Sequence, residues 1–135
     1  MRDSRNVFHL AVPCIDLDEA YDFYVTGLGC KLARRYKDRI TVDFFGDQLV
    51  CHKYPEKTTK DSELEMYPRH AGITFYDKNH FDDLIALVGS RKLKYYEKPF
   101  VRFEGAAEEH HSFFLIDPSN NLLEFKYYKD SRMMY

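Results

Sequence analysis

Strand-like and helix-like patterns of apolar residues follow one another near the start of the chain. Residues 7–12 (VFHLAV) alternate as in an extended strand, with His9 on one of its two faces. From Leu17 onward the apolar residues recur at helical spacing, and Asp16 is a candidate N-cap for that helix. We therefore predict a strand followed by a helix that ends at about residues 27–29, where two glycines lie.

Three short extended segments complete this first half. They lie at about residues 30–36, 39–45 and 48–54. Gly46-Asp47, between the last two segments, is a candidate two-residue hairpin turn. In the closing strand His52 lies on the same face as Gln48. The predicted order of the first half is thus β-α-β-β-β.

The same order returns after a charged connecting segment. Residues 55–68 (PEKTTKDSELEMYP) are bounded by two prolines and are predicted to form a surface linker. A strand that contains His70 follows, and Asn79 is a candidate cap for the helix after it. Further extended segments are predicted at about residues 94–103, 112–116 and 122–128.

This repeat predicts an α+β fold built from two βαβββ modules in a single domain. Module 1 spans about residues 6–54, a linker 55–68, module 2 about 69–128 and a tail 129–135. The identity between the halves is low, so the repeat rests on the order of the elements. His9 and His70 occupy matching positions on the first strands of the two modules.

Composition excludes several classes of protein. Hydrophobic residues make up 44% of the 135-residue chain, which is enough to offset the entropy lost on folding and excludes a disordered chain. The 20 Lys+Arg nearly balance the 22 Asp+Glu, so we expect no nucleic-acid partner. No apolar stretch approaches the roughly 18 residues of a membrane-spanning helix, and no signal peptide is recognised, so we expect no membrane partner. Three cysteines without CxxC spacing indicate reduced thiols in a cytoplasmic protein.

Glu124 is the strongest indication of a functional site. It lies within the run LLEF, which is predicted to be buried on at least one side, and a buried carboxylate needs a partner. Lys126, two residues away on the same strand face, is one candidate partner. A metal ion is the other, because His9, His70 and Glu124 converge if the two modules pair to form one curved sheet. Two imidazoles and a carboxylate are the ligand set of non-haem Fe(II), and Mn, Zn or Ni also bind such donors.

Several motifs in the sequence resemble those of the vicinal oxygen chelate superfamily, which includes glyoxalase I, extradiol dioxygenases and fosfomycin- and bleomycin-resistance proteins. The segments that carry the resemblance are FHLAVP at 8–13, FYVTGLGC at 23–30, DFFGDQLVCH at 43–52, HAGI at 70–73 and FFLIDPSNNLLEF at 113–125. The patterns F-Y-x-x-x-L-G and D-P-x-x-N-x-L-E-F are together specific for the superfamily, but they do not specify the reaction.

The resemblance implies a cup of paired βαβββ modules, the glyoxalase/bleomycin resistance/dihydroxybiphenyl dioxygenase fold. It implies that His9, His70 and Glu124 hold a divalent metal, which a small-molecule substrate chelates through neighbouring oxygens. Glyoxalase-like members take a fourth ligand, usually Glu or Gln, from the closing strand of the first module, where His52 is the nearest candidate. In dioxygenase-like members that position is not a ligand, so His52 remains open as a ligand, an acid/base or a hydrogen-bonding residue. A homodimer is expected by analogy.

Two further segments contain charged or titratable residues. Arg102 is a candidate substrate-binding residue at the rim of the site, because a guanidinium group suits an anionic substrate. His110 and His111 lie between predicted strands and are expected in a solvated loop.

Three functions remain as hypotheses. The first is a metal-dependent enzyme of the extradiol-dioxygenase type that acts on a small catechol-like substrate, with Fe(II) favoured and His52 as the residue that moves a proton. The second is a glyoxalase I-like lyase or isomerase. The third is a non-catalytic small-molecule binding protein of the bleomycin-resistance type, against which the retained His9, His70 and Glu124 argue.

Overall fold

The computed structural model describes residues 3–135, and they form the two predicted βαβββ modules. The elements of the first are β1 (His9–Cys14), α1 (Leu17–Tyr21), a π-helical segment (Asp22–Gly27), β2 (Lys31–Arg35), β3 (Arg39–Phe44) and β4 (Asp47–Lys53). Those of the second are β5 (Ala71–Phe75), α2 (Lys78–Ser90), β6 (Tyr95–Arg102), β7 (His110–Ile116) and β8 (Leu122–Tyr128). Short 3-10 helices lie at Pro55–Lys57, Asp61–Glu63 and Ser131–Met134. The predicted α+β class is confirmed.

Each module forms its own mixed sheet with the same strand order. The first sheet has the order β1-β4-β3-β2 and the second β5-β8-β7-β6. In both, the first strand of the module runs parallel to the last, and the remaining pairs are antiparallel. His9 begins β1, and His70 directly precedes β5. The two histidines therefore lie at the start of the outer, parallel strand of each sheet.

The described chain divides into two compact units that do not follow the module boundaries at every point. The first unit contains the described residues up to Leu64 together with Pro118–Asn121, and the second contains Glu65–Asp117 and Leu122–Tyr135. The turn that connects β7 to β8 thus belongs to the first unit.

Side chains of this turn bind backbone groups at the end of β1. Ile15 N donates to Ser119 Oγ at 2.8 Å, and Asn121 Nδ2 donates to Pro13 O at 2.9 Å. Buried or partly buried backbone groups without a ladder partner need such hydrogen bonds. The D-P-x-x-N segment is therefore a structural element of the first unit.

The second sheet packs one face against α2. Phe113 and Phe125 are fully buried with ring centroids 5.2 Å apart, and Phe81 of α2 lies 5.4 Å from Phe113. Strand residues alternate between faces, so Ser112 and Glu124, next in sequence to these phenylalanines, point the other way. We call this second face the polar face; its members are Phe100, Arg102, His110, Ser112, Phe114, Glu124, Lys126 and Tyr128.

The hairpin between β3 and β4 turns at Phe45-Gly46, one residue earlier than predicted. Phe44 pairs with Asp47 across the turn, and φ is +54° at Phe45 and +93° at Gly46. Positive φ at both central residues is the requirement of a type I′ turn. Asp43 Oδ1 accepts a 2.7 Å hydrogen bond from Gly46 N, which holds the turn with phenylalanine in a position that usually takes asparagine or glycine.

Two other predictions near element ends are wrong. Helix α2 is capped by Asp77, whose carboxylate accepts from Asn79 N at 2.8 Å, so the predicted cap Asn79 lies inside the first turn. The solvated loop predicted for His110 and His111 is instead the start of β7, and His110 is only 7% exposed. Among residues 3–135, the helices are too short or too polar to cross a lipid bilayer.

Gly72 is required where β5 approaches β8. It pairs with Glu124, and a Cβ atom at position 72 would lie 1.7 Å from the Glu124 carbonyl oxygen. The clash is with backbone, so it is relieved only if the two strands separate. We expect Gly72→Ala to lower the free energy of unfolding by about 3 kcal/mol, measured by urea denaturation.

Gly89→Ala is the matched control, because an added Cβ there has no neighbour within 4 Å and the position lies within α2. It is expected to leave stability unchanged or raise it by up to about 1 kcal/mol, from helix propensity. Equal small effects of the two substitutions would contradict the close approach of β5 and β8.

Candidate functional site

Glu124 is a buried carboxylate on the polar face with three polar neighbours. Its residue exposure is 7%. Ser112 Oγ donates to Glu124 Oε1 at 2.7 Å, while Oε2 lies 3.1 Å from His70 Nε2 and 3.5 Å from Lys126 Nζ. A buried carboxylate requires hydrogen bonds and a compensating cation. The predicted contact with Lys126 is present, and His70 shares the same oxygen.

The ring of His70 is held from its other side. Nδ1 lies 2.8 Å from the carbonyl oxygen of Met66. A carbonyl only accepts, so Nδ1 carries a proton and Nε2 is directed at Glu124. The rings of Tyr67 and Phe114 contact the imidazole edge to face at 5.6 Å and 5.2 Å between centroids. A histidine that donates through one nitrogen and presents the other is typical of metal ligands.

The separation of these two donor atoms fits a shared metal ion. Two ligands about 2.1 Å from one ion and close to a right angle apart would lie about 3.0 Å from each other. His70 Nε2 and Glu124 Oε2 are 3.1 Å apart. The second unit thus contains two donors with suitable chemistry and spacing. Neither unit, over residues 3–135, holds a group of three His, Cys, Asp or Glu side chains placed around one point.

His9, the third predicted ligand, is an exposed residue of β1 in the first unit. Its Nδ1 donates to Gln48 Oε1 at 2.6 Å, and Gln48 is its register partner on β4. His9 therefore resembles His70 in using Nδ1 for a neighbouring oxygen, which leaves Nε2 for another partner. Alternation along the sequence predicted that Gln48 and His52 share one face of β4. The position of Gln48 opposite His9 follows only from the parallel register of β1 and β4.

His52 lies further along β4 than the residue that contacts His9. Its register partner on β1 is Pro13, and it lies four positions after Gln48, which is about 13 Å along an extended strand. It lines a shallow groove of about 460 Å³ whose other lining residues are Ala11, Val12, Pro13, Tyr54 and Lys57. In the first unit His52 and His9 therefore lie at separate places.

Arg102 lies on the polar face beside aromatic rings. Its guanidinium carbon is 5.4 Å from the centre of the Tyr67 ring and 5.5 Å from that of Phe100. No carboxylate of the described residues forms an ion pair with it. Tyr67 also contacts His70, so the cation and the imidazole share one neighbouring ring. A guanidinium that contacts the faces of rings keeps its N–H donors available for an anion.

His110 belongs to the polar face and was not expected there. Its ring contacts that of Tyr128 in a tilted arrangement at 4.7 Å between centroids and lies 5.8 Å from that of Phe103, and its Nδ1 is 3.0 Å from Glu108 O. Its pairing with Arg102 across β6 and β7 could not be read from the sequence, because β6 contains two register shifts.

The cysteines of the chain are poor nucleophiles. All three are buried without disulfides. Burial raises the pKa of Cys30 to about 12, so its thiolate is scarce at neutral pH. Cys51 is fully buried and neighbours His52 in sequence, which places the two side chains on opposite faces of β4.

A family model named the Glyoxalase/Bleomycin resistance protein/Dioxygenase superfamily matches residues 6–125. The chain belongs to this superfamily. Its membership confirms the resemblance inferred from the sequence motifs.

Three known proteins illustrate the relationship. The glyoxalase/bleomycin resistance protein/dioxygenase of Alicyclobacillus acidocaldarius is 66% identical, and its crystal structure matches with a TM-score of 0.94 over 100% of both chains. The Glyoxalase domain-containing protein RDO1 of Mycosarcoma maydis is 27% identical over 128 residues, which cover 95% of this chain and 71% of that protein. The fosfomycin resistance protein FosX of Listeria monocytogenes has a TM-score of 0.71 at 12% identity, with 96% and 98% of the two chains covered, and shows the likeness of fold alone.

The superfamily name combines proteins with different reactions, so membership does not by itself assign one. The metal-binding roles of His9, His70 and Glu124, the catalytic role of His52 and the substrate-binding role of Arg102 stay predictions.

The loop that follows Arg102 in this superfamily member is fixed by Glu109. Gly105 N donates to its Oε2 at 2.7 Å, and Lys129 Nζ lies 3.4 Å from its Oε1. The hydrogen bond from Gly105, followed by the interaction with Lys129, lowers the pKa of Glu109 below its ordinary value of 4.5.

Because the pKa is lowered in the folded state, the ionised carboxylate stabilises the fold above about pH 4.5, and this stabilisation is lost as the pH falls through the lower folded-state value. Glu109→Gln is therefore expected to lower the melting temperature at about pH 7 and to have little effect at about pH 2.5, measured by circular dichroism. Glu108→Gln, which removes an adjacent charge, is the control. An effect of Glu109→Gln that is the same at both pH values would contradict the assignment.

Proposed function

We propose that the protein is a metal-dependent enzyme of the extradiol-dioxygenase type that acts on a small catechol-like substrate. The observation that carries the proposal is the buried pair of donor atoms, His70 Nε2 and Glu124 Oε2, 3.1 Å apart on one sheet face. His9 is proposed as the third ligand, with Fe(II) favoured and Mn, Ni or Zn as alternatives, since nitrogen and oxygen donors suit all four. A homodimer is proposed by analogy alone.

A divalent metal ion in this site would supply Lewis-acid activation of a vicinal diol and a common centre for both reactants. The residues around it have separate tasks. Ser112 holds Glu124 Oε1 and leaves Oε2 directed at His70. The hydrogen bond to Met66 O holds the His70 ring in a single orientation. Phe114, fully buried against that ring, keeps water from this side of the pair.

His52 is proposed as the residue that moves a proton. A half-buried imidazole can accept a proton from a diol and return it. The groove that it lines contains the Tyr54 and Lys57 side chains as further polar neighbours. His52 is not proposed as a metal ligand, because its register partner on β1 is Pro13 and that of His9 on β4 is Gln48.

Arg102 is proposed to bind an anionic group of the substrate. Its guanidinium lies over the rings of Tyr67 and Phe100 and forms no ion pair with a carboxylate in the described part of the chain. Tyr67 contacts both Arg102 and His70, which supports an anion site next to the proposed metal site. The substrate class that fits both is a catechol with a carboxylate substituent.

A glyoxalase I-like lyase or isomerase is the alternative, and one observation favours it. Gln48, on the closing strand of the first module, lies 2.6 Å from His9. Glyoxalase-like members are expected to place a glutamate or glutamine ligand on this strand. In that case Gln48, rather than His52, is the fourth ligand.

The proposal is tested with untagged protein that is loaded with Fe(II) under anaerobic conditions. We expect metal binding by elemental analysis and oxygen uptake with a panel of catechols, and we expect His70→Ala and Glu124→Ala to lose both. His111→Ala, on the opposite face of β7, is the control for histidine removal and should keep both.

Each remaining outcome decides against this proposal. Equal metal binding by wild type, His70→Ala and Glu124→Ala would show that the site is assigned wrongly. Turnover of a hemithioacetal without oxygen uptake on catechols would select the glyoxalase-like alternative. Ligand binding without any bound metal or turnover would select a binding protein of the bleomycin-resistance type.

The role of Arg102 is tested by comparing catechol with 3,4-dihydroxybenzoate. Arg102→Gln should raise the KM for the carboxylated substrate about 10- to 100-fold, the range for loss of a hydrogen-bonded charge partner, and leave that for catechol nearly unchanged. Steady-state oxygen uptake measures both. An equal loss with both substrates would mean that Arg102 supports the fold of the site rather than an anion.

A further inference from the structure

We propose that Lys126 sets the metal affinity of the site, because its ammonium group competes with the metal ion for Glu124. This inference rests on the proposed metal site formed by His70 and Glu124. Lys126 has this role because its ammonium group and the metal ion would contact the same carboxylate oxygen of Glu124.

The two oxygens of Glu124 have different neighbours. Oε1 accepts from Ser112 Oγ at 2.7 Å, whereas Oε2 faces both His70 Nε2 at 3.1 Å and Lys126 Nζ at 3.5 Å. Because Ser112 engages Oε1, Oε2 is the oxygen that remains for a metal ion shared with His70. The ammonium group of Lys126 therefore contacts the oxygen atom that the metal ion needs.

Burial makes this competition strong. The side chain of Glu124 is 9% exposed and that of Lys126 is 30% exposed, so water screens their interaction less than it would on an open surface. In the metal-free protein Lys126 compensates the buried charge of Glu124. A divalent ion at the same oxygen would repel the ammonium, and binding must include the free energy of moving it away.

Tyr128 offers the displaced ammonium another neighbour. Lys126 Nζ lies 5.8 Å from the centre of the Tyr128 ring, two residues along β8 on the same polar face. A cation at this distance from a ring is attracted by its negative face. Lys126 thus has two available neighbours, Glu124 and Tyr128, of which metal binding removes the first.

This model predicts opposite effects in the two states of the protein. Without metal, loss of the Lys126 charge leaves Glu124 less well compensated and lowers stability. With metal, loss of the same charge removes repulsion and tightens binding. General damage to the fold would weaken metal binding, so a gain in affinity distinguishes competition from a structural role.

The experiment compares Lys126→Met with wild type in titrations with Mn(II) alone and with Zn(II) alone, followed by isothermal calorimetry. We expect Lys126→Met to bind each metal at least about tenfold more tightly, the result of removing a like charge from a poorly screened site. Lys126→Arg retains the charge and should remain within about threefold of wild type. Lys78→Met, which removes a surface lysine that pairs with Asp82 on α2, should have no effect.

Thermal melts in EDTA and in excess metal give a second measurement. Lys126→Met should melt below wild type in EDTA and show the larger rise in melting temperature when metal is added, since stabilisation by a ligand grows with its affinity. Lys126→Gln is the second neutral variant if Lys126→Met does not fold.

The outcomes separate this inference from the proposed function. If folded Lys126→Met binds metal as wild type does, or more weakly, while Glu124→Gln loses the metal, Lys126 does not compete and the metal site stands. If wild type binds no metal but Lys126→Met does, Lys126 blocks the site in the native protein and competition is supported. If neither binds metal, both the site and the competition are wrong.

Discussion

The charge of Glu124 is the constraint on which the arrangement of the second sheet depends. A carboxylate on the buried part of β8 is stable only if hydrogen bonds and cations surround it. Ser112 from β7 and Lys126 from β8 meet this requirement, and His70, at the start of β5, lies against the same carboxylate. Gly72 allows β5 to come close enough for His70 to take part. Side chains from three strands therefore meet at one acidic side chain.

The two modules share strand order, but the histidines at the start of their first strands differ in burial and in the group that they face. His70 faces a carboxylate and is half-buried, whereas His9 is exposed and faces the amide of Gln48. In both histidines Nδ1 donates to a neutral oxygen, which is a backbone carbonyl for His70 and a side-chain amide for His9. The proton is therefore held on Nδ1 in both rings. The electrostatic difference gives the second module the stronger attraction for a cation.

Much of the fold and part of the site were predictable from the sequence. Alternation, helical spacing and turn residues indicated the β-α-β-β-β order, and the apolar run around Glu124 indicated a buried carboxylate with Lys126 beside it. The contacts of His9 with Gln48 and of His70 with Met66 were not predictable, because they depend on the register of parallel strands and on the path of a linker without pattern. His110 was misjudged for a similar reason: charged neighbours indicated a loop, but packing between Phe103 and Tyr128 extends the strand.

The turn at Pro118–Asn121 has a consequence for how the protein can be divided. It belongs to the first unit, where Ser119 and Asn121 bind backbone groups at the end of β1, yet the next residues along the chain form β8. A cut in the linker would therefore not give two self-sufficient halves, since the carboxy-terminal fragment would carry a turn whose partners are on the other piece.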